Sequence, residues 1–68
     1  MMIFIKFTSG TAITVDVEEH DTVERLYHEA RAQRSLGEFK LTVNGQQLEL
    51  SKPLSAYNID EGTVIHAD

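Results

Sequence analysis

One apolar stripe at helical spacing dominates the middle of this sequence. Its four residues fall at positions i, i+3, i+4 and i+7 of a helix that runs to about Arg34: Val23, Leu26, Tyr27 and Ala30. The segments on either side alternate at the spacing of strands instead. A single helix of this kind can bury its stripe only against a sheet, so the sequence predicts an α+β fold.

The ends of the helix are predicted from its capping residues. Asp21 or Thr22 stands just before the stripe, where a side-chain oxygen can accept a hydrogen bond from an unpaired backbone N–H. Glu24 then occupies the first turn, where the helix dipole favours an acidic side chain. Gly37 suits the left-handed conformation that closes a helix, so we expect it to end the region.

Five short segments are predicted to be β-strands, and residues 12–17 and 39–43 among them alternate apolar and polar side chains with the period of a strand. Turn residues join them in pairs: Gly10 lies in the first turn, and Asn44-Gly45 favours a type I′ hairpin. The predicted strands are residues 1–7, 12–17, 39–43, 46–50 and 63–68. The side chains that we expect to face the core are Ile3, Ile5, Ile13, Val15, Val17, Phe39, Leu41, Val43, Ile65 and Ala67.

The first strand is apolar on both faces. Residues 1–7 have the sequence MMIFIKF, in which Lys6 alone interrupts the apolar run. A strand of this kind suits the centre of a sheet, so we expect a mixed sheet with residues 1–7 beside residues 63–68. Pro53 is predicted to open a short helical turn over residues 54–58, before the last strand.

Length and charge limit the function. Sixty-eight residues are enough for one domain, residues 1–68, but leave no room for a deep catalytic cleft. Eleven acids against six bases give a net charge of −5, which argues against a nucleic-acid partner. No apolar run approaches the roughly 20 residues that cross a bilayer, and no signal peptide is evident, so we expect no membrane partner. The absence of cysteine is compatible with a reducing compartment.

Few side chains suggest catalysis or metal binding. Residues 18–21, EEHD, combine carboxylates with an imidazole, but neighbours in one loop rarely converge on a single ion. His28 lacks the second histidine that a zinc-protease helix carries. His66 has no organised nucleophile and base around it, so we interpret it as a surface contact residue. We predict no catalytic residue, no metal site and no cofactor.

Several segments, in order, resemble the ubiquitin family: MIFIK, TSGTAITVDV, DTVE, KLTVNGQQLE, LSAYNI and TVIH. The resemblance covers essentially the whole chain and implies a ubiquitin-like β-grasp, a mixed sheet curled around one helix. The family has a buried lysine and an acid at positions that look like Tyr27 and Leu50, so an ion pair becomes an apolar pair. Tyr57 is similar to a tyrosine that hydrogen-bonds a nearby backbone group.

The resemblance also locates the family's docking surface on the outer face of the sheet. Its apolar leucine, isoleucine and valine look here like Thr8, Thr42 and Asp68, whereas the histidine is retained as His66. Threonine and aspartate offer little apolar area to remove from water, which is worth about 25 cal/mol per Å². We therefore expect weakened binding to the helices that recognise ubiquitin.

A second apolar area is predicted on the same face. Met2, Phe4, Ala12 and Val64 would form it at one end, while the other end is polar. The alternative is that exposed Phe4 is an ordinary family feature, or is covered by neighbouring sequence. The residues that we predict to bind a protein partner are Met2, Phe4, Lys6, Thr8, Ala12, Thr42, Gly45, Gln46, Val64 and His66.

Two functions follow from the resemblance. The first is a non-catalytic interaction module, N-terminal in a larger protein, that links its host to the ubiquitin and proteasome machinery or to an intramolecular partner. The methionine start, the lack of a Gly-Gly tail after Asp68 and the lysines replaced at most chain-linking positions favour it. The alternative is a modifier with a trimmed tail, joined to substrate lysines. We expect a monomer in the cytoplasm, the nucleus or both.

Overall fold

The computed structural model describes residues 1–33 and 39–68 and confirms the α+β class. The predictions for Arg34 and Gly37 lie outside the described residues. In chain order the elements are β1 (Met2–Phe7), β2 (Ala12–Asp16), α1 (Val23–Gln33), β3 (Leu41–Val43), β4 (Gln46–Gln47), a 3₁₀ helix (Leu54–Tyr57) and β5 (Val64–Ala67).

The described strands form one mixed sheet in the order β2-β1-β5-β3-β4. Strand β1 pairs with β2 in the antiparallel sense and with β5 in the parallel sense, with Ile5 beside Ile65. Strand β3 pairs antiparallel with both β5 and β4. The prediction that residues 1–7 lie beside residues 63–68 is therefore confirmed. One helix on one face of such a sheet is the β-grasp arrangement.

The core lies between this sheet and α1. The helix contributes Val23, Leu26 and Ala30, all fully buried, and Tyr27 is half-buried at the edge of the cluster. The inward residues of the strands are buried as predicted, except Ile13, which is half-buried. Every buried side chain among the described residues is apolar. Burial of apolar area is therefore the main force that holds the helix to the sheet.

The hairpin after β3 has the predicted turn. Asn44 and Gly45 both have positive φ angles, 51° and 79°, as a type I′ turn requires. The returning strand is shorter than predicted: β4 covers Gln46–Gln47 rather than residues 46–50. The chain turns away directly afterwards, where the N–H of Lys52 donates to the carbonyl of Glu49 at 3.2 Å.

The start of α1 differs from the capping prediction. The N–H groups of Val23 and Glu24 donate to the carbonyls of Lys52 and Leu50, at 2.9 and 3.0 Å. The carboxylate of Asp21 instead accepts from the N–H of Glu18, at 2.8 Å. The prediction of a side-chain cap was wrong because the loop after β4 supplies backbone acceptors that satisfy the free N–H groups.

The last turn before β5 follows the prediction. Pro53 is extended, with φ −74° and ψ 156°, and directly precedes the 3₁₀ helix. The hydroxyl of Tyr57 accepts a hydrogen bond from the N–H of Glu49 at 2.9 Å, so the predicted tyrosine-to-backbone bond is present. Among the described residues, no helix combines the length and the apolar character that crossing a membrane requires.

Candidate protein-binding surface

The outer face of β1 carries a small exposed apolar surface. Met2 and Phe4 point away from α1 because the inward positions belong to Ile3 and Ile5. The parallel register puts Phe4 directly beside Val64 of β5. The three side chains are 40%, 37% and 42% exposed for Met2, Phe4 and Val64 respectively. We call these three residues the outer patch.

Ala12 does not belong to the outer patch. Its partner in the β1–β2 register is Lys6, whereas the residue opposite Phe4 is Thr14. The predicted place of Ala12 among the apolar residues was therefore wrong. The hairpin turn fixes the antiparallel register, and that register puts Ala12 in the polar half of the face.

The polar half follows the predicted arrangement. Lys6 pairs in register with His66, and His66 also lies beside Thr42 of β3. Thr8 is exposed just after the end of β1, and Gly45 and Gln46 are exposed at the tip of the β3–β4 hairpin. Nine of the ten predicted binding residues are exposed, and Thr42 is half-buried.

Acidic groups border the other end of the outer patch. Asp16 is the register partner of Met2. Its carboxylate lies 3.5 Å from the N-terminal ammonium, and its side chain is 82% exposed. Glu61 accepts a hydrogen bond from the backbone N–H of Met2 at 3.0 Å. The patch is thus flanked by carboxylates on one side and by Lys6 and His66 on the other.

This arrangement suits binding to another protein. An exposed apolar area with a polar border is typical of a protein contact surface.

Within residues 1–33 and 39–68, no three His, Cys, Asp or Glu side chains are grouped so that they could hold a metal ion. In the EEHD segment, the Asp21 carboxylate is hydrogen-bonded to Glu18 N–H and to Arg25, at 2.8 and 3.0 Å.

A second surface was missed by the sequence reasoning. Tyr27 and Leu50 were expected to form an apolar pair in place of a buried ion pair, yet Leu50 is 43% exposed. The ring of Tyr27 stacks on Phe39 instead, with centroids 4.5 Å apart. Tyr27, Phe39 and Leu50 all contribute to the lining of an open groove. We call it the edge groove, and its lining residues are Tyr27, Phe39, Lys40, Leu41, Gln47, Leu48 and Leu50. No signal of this surface is present in the sequence, because Leu50 alternates in phase with buried Leu48 and is exposed only because β4 ends at Gln47.

Comparison with known proteins gives two matches. The sequence model of the ubiquitin family matches residues 3–67. The Ubiquitin-like protein NEDD8 of Dictyostelium discoideum is 28% identical over 68 aligned residues, which span 97% of this chain and 88% of that protein.

Proposed function

Since the chain belongs to the ubiquitin family, we propose that residues 1–68 are one non-catalytic interaction domain. In this proposal the domain is the N-terminal module of a larger protein in the cytoplasm or nucleus. It links that host to proteins of the ubiquitin and proteasome system, or to a partner within the same chain. Ubiquitin-like domains are generally non-catalytic, which supports a binding role.

The outer patch is the observation that carries this proposal. Phe4 and Val64 are neighbours in register, and each is about two-fifths exposed. Covering this apolar area with a partner would remove it from water, which lowers the free energy. The sheet beneath these two residues is held by the buried inward residues, so the patch is presented on a rigid support. A partner that covers it removes apolar area from water without reorganising the fold.

The remainder of the outer face supports a weaker use of the usual docking position. Thr8, Thr42 and Asp68 stand where the resemblance implies apolar residues, and His66 is exposed beside Thr42. Polar side chains contribute orientation rather than apolar burial at a contact surface. We therefore infer that partners of the ubiquitin-recognising type contact the outer patch more than the polar half.

A binding titration tests the proposal. The ¹⁵N-labelled protein is titrated with a ubiquitin-recognising helix peptide and with a purified proteasomal ubiquitin receptor, and amide chemical shifts are followed. We expect changes at Met2, Phe4 and Val64 with at least one of them. Phe4→Asp should abolish these changes while the dispersed spectrum of the folded protein is retained. Ala56→Asp, at an exposed residue of the 3₁₀ helix, is the control with the same change of charge. Equal binding by both variants would contradict the proposal.

The modifier remains the second candidate because the match to a ubiquitin-like protein spans 97% of the chain. In that role a C-terminal Gly-Gly tail would be activated as an adenylate and transferred to a substrate lysine. The gene sequence that follows Asp68 separates the two functions. A Gly-Gly ending within about ten residues supports the modifier, because such a tail is a short flexible extension. A longer polar linker into further domains supports the module.

A further inference from the structure

The edge groove lies between α1 and the open edge of the sheet. Tyr27 contributes one wall from α1, and Gln47 and Leu48 contribute the other from β4 and the residue after it. The groove has a volume of about 260 Å³. Its apolar lining includes the stacked rings of Tyr27 and Phe39, and Leu50, which is 43% exposed.

The backbone beside this groove has free hydrogen-bonding groups. Strand β4 is the last strand of the sheet, with β3 as its one neighbour among the described strands. Leu48 N–H donates to the Leu41 carbonyl at 2.8 Å, so the adjacent register pair, Thr42 and Gln47, is the non-hydrogen-bonded one. The N–H and C=O of Gln47 therefore point toward the open edge, where an added strand could pair with them.

The charge around the groove is opposite to that of the whole protein. The net charge is −5, yet Lys40 is the charged residue among those that line the groove. The Arg31 guanidinium lies 5.8 Å from the centre of the Tyr27 ring, and its Nη1 lies 3.5 Å from the Tyr27 hydroxyl. Neither cation forms an ion pair with another described residue. A ligand with a carboxylate at this edge would meet the positive charges of Lys40 and Arg31.

We propose that the edge groove binds an extended acidic segment of a partner protein, which adds to β4 as a further strand. One aliphatic side chain of the segment lies between Tyr27 and Leu50. A neighbouring aspartate or glutamate faces Lys40 and Arg31, and the segment's backbone pairs with Gln47. Strand addition combines main-chain hydrogen bonds with pockets for alternate side chains, which is what this edge provides. The site is separate from the outer patch and goes beyond the proposed function.

The test uses a defined probe, a capped hexapeptide in which aspartate alternates with isoleucine. Titrated into the ¹⁵N-labelled protein, it should shift the amides of Gln47, Leu48 and Leu50 and leave those of Phe4 and Val64 unchanged. Hydrogen exchange of the Gln47 N–H should slow on binding, because that group becomes paired. The same peptide with lysine in place of aspartate should not bind.

Two variants with matched controls locate the contacts. Lys40→Gln should weaken binding by about two- to fivefold, the effect of losing one exposed ion pair, whereas Lys40→Arg should preserve it. Leu50→Ser should weaken binding strongly, whereas Phe4→Ser should not. Both replaced side chains are exposed at least in part, so the folded spectrum should persist. The proposal is wrong if the lysine peptide binds equally, if the shifts map to the outer patch or to β2, if Gln47 exchange is unchanged, or if no shift occurs up to the solubility limit of the probe.

Discussion

Ile3 and Ile5 on the inner face of β1 are fully buried, whereas Met2 and Phe4 on the outer face of the same strand are 40% and 37% exposed. The four side chains are all apolar, and each outer residue directly precedes an inner one. What separates them is α1, which covers one face of the sheet. Apolar character in a central strand therefore has two different outcomes here, a buried core on one face and an exposed apolar surface on the other.

The buried core and the surface also differ in where charged groups lie. Every buried side chain in the described part of the chain is apolar. The three ion pairs among the described residues involve groups at or near the surface. Substitutions on the inner side should therefore change stability, and those on the outer side should change binding or pH dependence.

The largest expected effect contrasts adjacent residues of β1. Ile5→Ala should lower the free energy of unfolding by about 2–5 kcal/mol, because it removes buried methyl groups and leaves a cavity. Phe4→Ala should lower it by about 1 kcal/mol or less, the range of a cross-strand pair such as Phe4–Val64. Urea denaturation measures both values.

A folded control keeps this contrast measurable, since a chain of 68 residues has little stability to lose. Ile5→Val should cost about 0.5–1.5 kcal/mol and remain folded. If Phe4→Ala destabilises the protein as much as Ile5→Ala does, the outer residue belongs to the core and the comparison between the two faces fails.

Periodicity predicted the side of the sheet on which most residues lie, and it did so because burial follows the alternation of the strand. The positions that it missed depend on contacts between distant segments. The helix start is satisfied by the carbonyls of Leu50 and Lys52, which no local pattern near Asp21 reveals. Ala12 was misplaced because register, rather than alternation, decides which outer residues are neighbours. The edge groove requires Tyr27 and Leu50, which are far apart in sequence.

The second prediction concerns the turn that keeps the two faces distinct. Gly45 has a φ angle of +79°, and a side chain added there would have nothing within 4 Å. Gly45→Ala should therefore cost about 1–2 kcal/mol through backbone conformation alone. A one-residue slip in the pairing of β4 would exchange its inward and outward side chains, and this turn opposes it.

Thermal unfolding measures the cost at Gly45, and the cross-strand contacts of Thr42 with Gln47 in NMR spectra report the register. The exposed neighbour Gln46→Ala is the control, since it changes a side chain without requiring a left-handed backbone. A Gly45→Ala protein as stable as the parent would mean that the turn does not fix the register.

The third prediction tests the point where the chain leaves β4. Glu49 stands between buried Leu48 and exposed Leu50, and its N–H donates to the Tyr57 hydroxyl at 2.9 Å. Tyr57→Phe removes the acceptor and keeps the ring, so it should cost about 0.5–1 kcal/mol. The amide of Glu49 should exchange faster with solvent in this variant, whereas that of Leu48, bonded to Leu41, should not. Unchanged exchange at Glu49 would show that the hydroxyl does not hold this segment.

The smallest expected effect concerns a charge in the loop that leads into α1. The N–H of Glu18 donates to the Asp21 carboxylate, and Arg25 lies 3.0 Å from it. These contacts hold the pKa of Asp21 below its ordinary value of 3.8, the backbone hydrogen bond being the larger cause. A lowered pKa in the folded state means that the unfolded chain binds this proton more readily. The carboxylate therefore contributes stability above the ordinary pKa, and that contribution is lost as the pH falls through the folded one.

Asp21→Asn should accordingly lower the melting temperature at pH 7, by less than any of the variants above. The difference in melting temperature from the parent should shrink as the medium is acidified below the ordinary pKa of Asp21. Glu19→Gln, an exposed charge change in the same loop, should show no such pH-dependent difference. Thermal scans from neutral to acidic pH measure both curves. Because the described core contains no charged side chain, half-buried carboxylates of this kind should account for the acid sensitivity of the fold. A difference between Asp21→Asn and the parent that persists undiminished in acid would instead locate the effect in the shape of the loop rather than in the charge of Asp21.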